Sequence, residues 1–430
     1  MDNALPYLSG FANHFESEAI PGALIKHRNS PQNVPYGLYA EQLSGSAFTL
    51  KRHLNLHSWL YRIRPSVKHG EFVALPHANL HGTPFDSAYT PPTQMRWDPM
   101  PYPAVPCHFV DSLTTFAGHG SIDMHTGAAI HLYAATISMQ NEFFYNADGD
   151  FLIVPQEGPL QFKTEFGCMD VQPGEIAVIP RGIIFQVRLF EKKARGYICE
   201  NFGMPFRLPE LGMIGSNGLA HPRDFQIPVA AFEEIQGDFN LLAKFQGQLW
   251  QASIPCSPLD VVAWHGTYTP YKYDLSLFNT INSVSFDHPD PSIFTVLHSP
   301  SAIPGIANVD FVIFPPRWMV ANDTFRPPYY HRNIMSEYMG LIRGTYDAKE
   351  TGFIPGGSSL HNCMAAHGPD ANAYYKAISA KLQPEYYDHT LAFMFESQHA
   401  WRLAPFAYHA DFRQKNYLDC WQELQSRFRQ

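Results

Sequence analysis

Residues 331–344 of the chain read HRNIMSEYMGLIRG, and this stretch decides the fold. Its His331 and Glu337 are six positions apart, and even spacing on strands directs side chains to the same face of a sheet. A proline-glycine turn and two further histidines, His361 and His367, follow it. The pattern predicts a strand-rich unit that collects imidazole and carboxylate groups on one face.

The first half of the chain carries a weaker copy of this pattern. Glu142 is followed by a glycine at the same distance, and residues 174–185 have the spacing G-x5-P-x-G-x2-F. Both blocks resemble the two sequence motifs of cupins, which are small jelly-roll barrels. Where those motifs have histidines, the first copy has Thr136, Ser138 and Phe185. The resemblance implies two cupin-like jelly-roll barrels, of which only the C-terminal one retains ligand chemistry.

Composition points to the same all-β dominated fold class. The chain has 430 residues, of which 16% are charged, 45% are hydrophobic and 36 are prolines. Prolines scattered among glycines favour short strands and structured loops over long helices, so we expect only a few short helices. A net charge of −9 argues against nucleic acid or an anionic membrane as the partner.

Two further features bear on the cellular setting. The start of the chain has no basic segment followed by an apolar one, and no run of 18 apolar residues occurs, so we expect a cytoplasmic protein. The six cysteines are far apart and form no CxxC pair, which predicts reduced, structurally passive thiols.

The segments can be assigned along the chain. We predict a proline-rich N-terminal arm with strands packed on the first barrel (1–110), a cupin-like domain without metal ligands (111–280) and a C-terminal cupin-like domain with the metal site (281–430). Predicted strands are Trp59–Ile63, Phe72–Leu75, 130–139, 142–145, 151–155, 160–164, 175–179 and 183–189, and an extended loop is predicted over 84–106. Predicted helices are 258–264 with Ser257 as N-cap, 371–381 and 411–426.

The histidines and the glutamate suggest metal chemistry. Two imidazoles and one carboxylate form a facial triad, which leaves open positions for a substrate and dioxygen on a non-haem Fe(II) centre. Asn333 replaces the second histidine of the first motif and makes room for a bidentate substrate. The spacing leaves the third ligand open between His361 and His367. With 21 histidines in the chain, a chance pairing of His331 and Glu337 without metal is the alternative.

Longer blocks resemble one family specifically, the homogentisate 1,2-dioxygenases. The matching blocks are FRPPYYHRNIMSEYMGLIRG (325–344), FIPGGSSLH (353–361), HGPD (367–370), LAFMFES (391–397), YLSGFAN (7–13) and YGLYAEQLSGSAF (36–48). The resemblance implies Fe(II)-dependent opening of the homogentisate ring by O2 to give maleylacetoacetate, in cytosolic phenylalanine and tyrosine catabolism. It also implies a homo-oligomer, a hexamer built from trimers.

The resemblance also implies site roles. These are iron ligation by His331, Glu337 and His367 (His367 also bordering the substrate), acid/base catalysis by His288, substrate binding by Tyr346, and support of the ligands from outside the coordination sphere by His361 and Asn333. His288 could instead cap a turn, and Tyr346 could simply pack at the barrel mouth. Arg332 and Arg343 could offset a substrate carboxylate, but the sequence assigns them no role.

Two rival functions remain at this stage. One is a related ring-cleaving dioxygenase that acts on gentisate or a similar hydroquinone acid, with the same ligands and a different pocket. The other is a metal-free or zinc-bearing cupin used for storage, binding or sugar isomerisation. Only the dioxygenases require Fe(II) and consume oxygen.

Overall fold

The computed structural model describes residues 4–85, 89–349 and 351–430. Strands β1 to β14 are Tyr7–Ser9, Phe15–Glu18, Tyr39–Ser44, His57–Arg62, Val73–Leu75, Met95–Trp97, Thr114–Ser121, Thr126–Ala135, Glu142–Asn146, Asp150–Glu157, Leu160–Thr164, Gly167–Val171, Glu175–Ile179 and Phe185–Leu189. Strands β15 to β28 are Ala194–Asn201, Phe225–Pro228, Gln236–Phe245, Gln248–Cys256, Val261–Gly266, Tyr271–Asp274, Thr295–Pro300, Ala307–Phe314, Arg317–Met319, Ser336–Gly344, Ser358–His361, Glu385–Tyr387, Thr390–Ser397 and Arg402–Leu403.

Helices are few and short. The α-helices are α1, Ala371–Ser379, and α2, Pro405–His409. Single 3₁₀ turns are Pro35–Gly37, Arg52–Leu54, Pro222–Asp224, Leu275–Leu277, Pro291–Phe294 and Tyr417–Trp421. Strands hold 40% of the residues and helices 8%, which confirms the all-β dominated prediction. Among the described residues, neither helix has the length and apolar character needed to cross a bilayer.

The strands form two β units. A nine-stranded sheet (β1-β16-β20-β13-β10-β15-β8-β7-β28) and a seven-stranded sheet (β12-β11-β14-β9-β17-β18-β5) make the first unit. A six-stranded sheet (β21-β22-β27-β24-β25-β6) forms the second. In each unit the two motif strands are antiparallel neighbours, β9 with β14 and β24 with β25. The two-barrel, cupin-like fold class is therefore confirmed.

The N-terminal strands are distributed over several sheets. Strands β2, β3 and β4 join β19 in a four-stranded sheet, whereas β6 adds to the edge of the C-terminal sheet. Arg62 on β4 is buried and forms ion pairs with Glu41 at 2.8 Å, Asp260 at 3.1 Å and Glu165 at 3.2 Å. This ion-pair network links the N-terminal sheet to the first unit.

Alternation along β24 determines what faces the site. Tyr338 packs edge-on against Phe116 of the nine-stranded sheet, with ring centroids 5.7 Å apart, and Tyr197 packs in the same way on Phe393 at 4.8 Å. Because neighbouring strand residues point to opposite faces, Tyr338 faces the interior between the units while Glu337 faces away from it. The large aromatic core thus holds the site strand from behind.

Each predicted strand segment falls on an observed strand. Residues 160–164 and 175–179 coincide with β11 and β13, and the others are shifted by a few residues at their ends. The loop predicted over 84–106 is interrupted by β6, which pairs with β25. Residues 86–88 of that segment lie outside the described residues.

One predicted helix is wrong. Residues 258–264 contain the start of β19, a strand that runs between β2 and β4. The hydroxyl of Ser257 accepts the Leu259 N–H at 3.2 Å, so the apparent N-cap belongs to a tight turn before the strand. The following Val261 and Val262 are β-branched and buried, which suits a central strand better than a helix.

The other two helix predictions differ in outcome. The helix predicted over 371–381 is confirmed as α1, whose N-cap Asp370 accepts the Ala373 N–H at 2.7 Å. The helix predicted over 411–426 is reduced to the 3₁₀ turn Tyr417–Trp421. There the Trp421 indole donates to the Pro369 carbonyl oxygen at 3.0 Å, and this tertiary contact overrides local helix propensity.

Candidate metal and substrate site

Three side chains with ligand atoms converge beside the start of β24. The Nε2 of His367 is 3.0 Å from one carboxylate oxygen of Glu337, and the Nε2 of His331 is 3.6 Å from the other. All three ligand atoms lie within 4.8 Å of one another. In the described part of the chain, this is the one group of three or more His, Cys, Asp or Glu side chains with such spacing.

Hydrogen bonds to carbonyl groups fix the orientation of both imidazoles. The Nδ1 of His331 is 2.8 Å from the Tyr329 carbonyl oxygen, and the Nδ1 of His367 is 2.8 Å from that of Ala365. Since a carbonyl oxygen can only accept, each Nδ1 carries a proton and donates it. Nε2 of each ring therefore faces the carboxylate: it donates to Glu337 when the ring is protonated, and it offers its lone pair to a metal when the ring is neutral.

The charge of the group also suits a cation. Burial alone would raise the pKa of the Glu337 carboxyl, but hydrogen bonds from His331 and His367 outweigh it and lower the pKa to about 2. The hydrogen bond with Glu337 raises the pKa of His331. A buried carboxylate requires a positive partner. A divalent transition metal would fit the two imidazole nitrogens and the carboxylate at once.

His361 lies behind His367 and is not part of this group. The two rings stack in parallel, with centroids 4.3 Å apart and 7° between their planes. The Nε2 of His361 is 2.9 Å from the Tyr417 hydroxyl, and its backbone lies opposite Glu337 in the β24–β25 register. Burial, together with the neighbouring His367, lowers the pKa of His361 well below its usual value. A neutral His361 can therefore stabilise the orientation of the His367 ring by stacking on it.

Asn333 connects two carboxylates. Its Nδ2 is 2.9 Å from Oε1 of Glu396 and 3.4 Å from Oε1 of Glu337. Glu396 lies on β27, directly opposite Glu337. Burial, together with the nearby Glu337 and Asp310, raises the pKa of Glu396 to about 7. Asn333 thus helps to hold the Glu337 oxygen that also faces His331.

A cavity of about 470 Å³ opens onto the group and includes His288 in its wall. The Nδ1 of His288 is 2.8 Å from the Pro289 carbonyl oxygen, so Nδ1 donates and Nε2 is left with its lone pair. Burial lowers the pKa of His288, which keeps the imidazole neutral near pH 7. The residue is therefore able to accept a proton from a bound molecule.

Tyr346 and Lys349 lie together in the same wall. The Lys349 N–H donates to the Tyr346 carbonyl oxygen at 3.0 Å, and both side chains are buried at the cavity. Burial raises the pKa of Tyr346 well above its usual value, so its hydroxyl stays a neutral donor. Arg332 lines the cavity but is exposed, whereas Arg343 is exposed and lies outside the lining.

The sequence did not single out three residues that this arrangement includes. Glu396 could have been suspected, because it is the only charged residue in the apolar block 391–397. Nothing near Lys349 or Tyr417 in the sequence marks them, since both are brought to the site by chain segments that fold back onto β24 and β25.

The equivalent region of the first unit is filled with aromatic side chains. Phe185 packs edge-on against Phe144 of the paired strand β9 at 5.4 Å and contacts Phe162 at 6.0 Å. All three are buried. This half of the chain therefore contributes packing where the other half collects ligand atoms.

Comparisons with known proteins cover the whole chain. The model described as homogentisate 1,2-dioxygenase N-terminal matches residues 6–275, and the one described as homogentisate 1,2-dioxygenase C-terminal matches residues 276–428.

Several solved structures are also similar. A cupin-2 domain protein from Shewanella frigidimarina is 24% identical over 17% of this chain and 70% of its own, with a TM-score of 0.16. Protein Ylba from E. coli is 11% identical over 73% of this chain and 95% of its own, with a TM-score of 0.30. A point variant of salicylate 1,2-dioxygenase from Pseudoaminobacter salicylatoxidans is 8% identical over 67% of this chain and 74% of its own, with a TM-score of 0.31.

Proposed function

We propose that this chain, which belongs to the homogentisate 1,2-dioxygenase family, opens the aromatic ring of homogentisate with dioxygen at the site formed by His331, Glu337 and His367. The observation that carries the proposal is the convergence of two imidazole nitrogens and one carboxylate within 4.8 Å, at the wall of a cavity of about 470 Å³. This site lies in the part of the chain that the C-terminal family model matches.

The resident metal in this proposal is Fe(II). His331 and His367 would bind it through Nε2 and Glu337 through its carboxylate, which is the donor set of a facial triad. Fe(II), when bound, supplies adjacent open positions for substrate and dioxygen together. The carbonyl contacts at both Nδ1 atoms support this assignment, because they leave each Nε2 free to ligate. Two residues outside the ligand group support it. Asn333 contacts the Glu337 carboxylate, and His361 stacks on the His367 ring.

His288 is proposed to take the phenolic proton of the substrate. Its Nδ1 is engaged with the Pro289 carbonyl oxygen, so the proton would be received at Nε2. A neutral imidazole near cellular pH is suited to this exchange. The lowered pKa of His288, caused by its burial, keeps the accepting form populated.

Tyr346 is proposed to bind the substrate through its hydroxyl. Within the described part of the chain this hydroxyl has no hydrogen-bond partner, although the side chain is buried and lines the cavity. A donor kept free in this way can orient the ring before reaction.

The remaining family properties complete the proposal. The product is maleylacetoacetate, and the reaction is a step of phenylalanine and tyrosine catabolism in the cytoplasm. The protein assembles as a homo-oligomer, a hexamer built from trimers. The division into a proline-rich arm (1–110), a domain without ligands (111–280) and a C-terminal domain with the iron site (281–430) is part of the same proposal.

Oxygen uptake tests this function. Protein loaded anaerobically with Fe(II) is expected to consume one O2 for each homogentisate added and to form a ring-opened product. Gentisate, with its carboxyl directly on the ring, is expected to give little uptake. Strong uptake with gentisate and none with homogentisate would contradict the proposal, as would equal uptake by the metal-free protein.

A further inference from the structure

Lys349 is a buried cation that faces the cavity without a protein partner. Its side chain is only 5% exposed, yet it lines the same wall as Tyr346 and the metal-ligand group. Within the described residues, its ammonium has no hydrogen bond and no ion pair. Its contacts are the faces of two aromatic rings, Tyr417 at 5.2 Å and Trp421 at 5.4 Å.

An unpaired buried ammonium is costly. Buried charges in folded proteins are normally paired, and contacts with aromatic faces replace only part of the lost hydration. The neighbouring carboxylates are committed elsewhere. Glu337 lies between the imidazoles of His331 and His367, and Asp370 caps α1. A position that keeps a lysine under these conditions is suited to an anion that arrives with a ligand.

The substrate of the proposed function brings such an anion. Homogentisate carries one carboxylate on a short arm from the ring that must reach the metal group. We propose that Lys349 is the residue that binds this carboxylate, with the Tyr346 hydroxyl as the second donor. This inference rests on the proposed function and extends it to substrate selectivity.

The local backbone supports a shared role for the two donors. Lys349 and Tyr346 are the two ends of one tight turn, joined by a 3.0 Å backbone hydrogen bond and by an isolated bridge. Their positions in the wall are therefore coupled. The other cation at the cavity, Arg332, is exposed, and solvent screens its charge. The buried lysine is the stronger electrostatic partner for a carboxylate that has left water.

The arrangement predicts selection for ring substrates with an acidic arm. Methylhydroquinone is homogentisate without its carboxyl group, so it keeps both phenolic hydroxyls and loses only the anion. The wild-type protein is expected to bind homogentisate much more tightly than methylhydroquinone. This preference is the quantity that Lys349 would control.

The test compares Lys349→Met with the wild type, both loaded with Fe(II) under anaerobic conditions. Calorimetric titration with homogentisate and methylhydroquinone gives the preference directly, without turnover. Loss of a charged hydrogen-bond partner is expected to reduce the preference for homogentisate on the order of 10²-fold, through weaker homogentisate binding alone. In turnover assays KM should rise and kcat should change little, as for a residue that binds ground and transition states equally.

Three controls keep the result interpretable. Lys415→Met removes an exposed lysine with the same substitution and should keep the wild-type preference. Lys349→Arg should restore part of the preference, because it returns the charge. Arg332→Met should leave most of the preference intact. Iron content and methylhydroquinone affinity should be unchanged in Lys349→Met.

The outcomes separate this inference from the proposed function. A Lys349→Met protein with the wild-type preference would overturn the inference, and so would one that loses iron and both ligands together. If only Arg332→Met loses the preference for homogentisate, Arg332 binds the carboxylate and the inference is overturned. A wild-type protein that neither binds homogentisate nor consumes oxygen with it would instead contradict the proposed function.

Discussion

His331 and His367 are joined by two reciprocal backbone hydrogen bonds, His331 N to His367 O at 2.9 Å and His367 N to His331 O at 3.1 Å. Their rings are 4.1 Å apart between centroids. The two imidazoles are thus positioned by the main chain, and Glu337 enters between them from β24. The ligand group is therefore preorganised by the fold.

The first prediction separates a ligand from its neighbour. His367→Ala should purify without iron and resist reconstitution, because it removes one of three ligand nitrogens. His361→Ala should still bind Fe(II) in excess metal, with affinity or activity reduced about 10-fold to 100-fold, as is typical for a residue that supports a ligand. Iron analysis after reconstitution and gel filtration measures both. The reverse pattern would assign the third ligand to His361.

The second prediction concerns the proton acceptor. His288→Phe should keep near-normal iron content and lose turnover by about 10²-fold to 10⁴-fold, since a general base is lost and no ligand is. Steady-state oxygen uptake across pH 6 to 9, paired with iron analysis, measures the effect. Unchanged activity across this range would show that His288 only shapes the turn before Pro289.

The third prediction concerns the stability of the first unit. Lys244 is fully buried and bonds Asp148 at 2.6 Å and Glu200 at 2.7 Å. Lys244→Met should lower the free energy of unfolding by about 3–5 kcal/mol, because it leaves two buried carboxylates without their cation. Urea titration followed by fluorescence measures the loss.

A matched control exists for this variant. Lys163 pairs with Glu233 at 2.6 Å, but both side chains are partly exposed. Lys163→Met should therefore cost no more than about 1 kcal/mol. If Lys244→Met and Lys163→Met lower the free energy of unfolding equally, burial does not make the Lys244 ion pairs more important for stability than the Lys163 pair.

The fourth prediction is a pH dependence of substrate binding. Burial lowers the pKa of Lys349 to about 8. As pH rises through about 8 the ammonium loses its proton, so kcat/KM for homogentisate should fall while methylhydroquinone affinity stays level. The groups that face Lys349 are Arg96, Asp370, Cys420, Tyr417, Glu337 and His361.

The measurement is a pH profile of kcat/KM from pH 6.5 to 9.5, which reports groups of the free enzyme. In Lys349→Met the decline near pH 8 should disappear. A decline of the same shape in that variant would attribute it to another group in the cavity.

Much of the fold could be predicted from local patterns. Residues 160–164 alternate buried and half-buried side chains, whereas residues 176–179 are a short buried apolar run. Both segments lie between turn residues, and such strands are specified by their own sequence. The helix prediction for residues 258–264 is wrong because a serine before an apolar run is compatible with a turn as well as with a helix start. What decided between them was pairing with β2 and β4, which are distant in sequence.

The site residues also fall into two groups, those that a local motif predicts and those that only tertiary packing brings together. His331 and Glu337 share one short motif, which predicts their proximity, but His331 precedes β24 and is held near Glu337 by its backbone bridge to His367 instead of by strand alternation. The choice between His361 and His367 depends on where the chain after β25 returns, and motif spacing alone left it open. Lys349 reaches the cavity through the turn at Tyr346, and Tyr417 arrives from the C-terminal segment. Such contacts arise from tertiary packing and carry no local signal.

Metal analysis of anaerobically purified protein, with Glu337→Gln measured alongside the wild type, is the most direct test of the iron site. We expect about one Fe(II) per wild-type chain and homogentisate-dependent oxygen uptake that follows iron content. Glu337→Gln should lose most of its iron and keep the β-rich fold, as measured by circular dichroism. A wild-type chain that consumes oxygen without iron, or a Glu337→Gln variant with full iron and normal turnover, would contradict the proposed iron site.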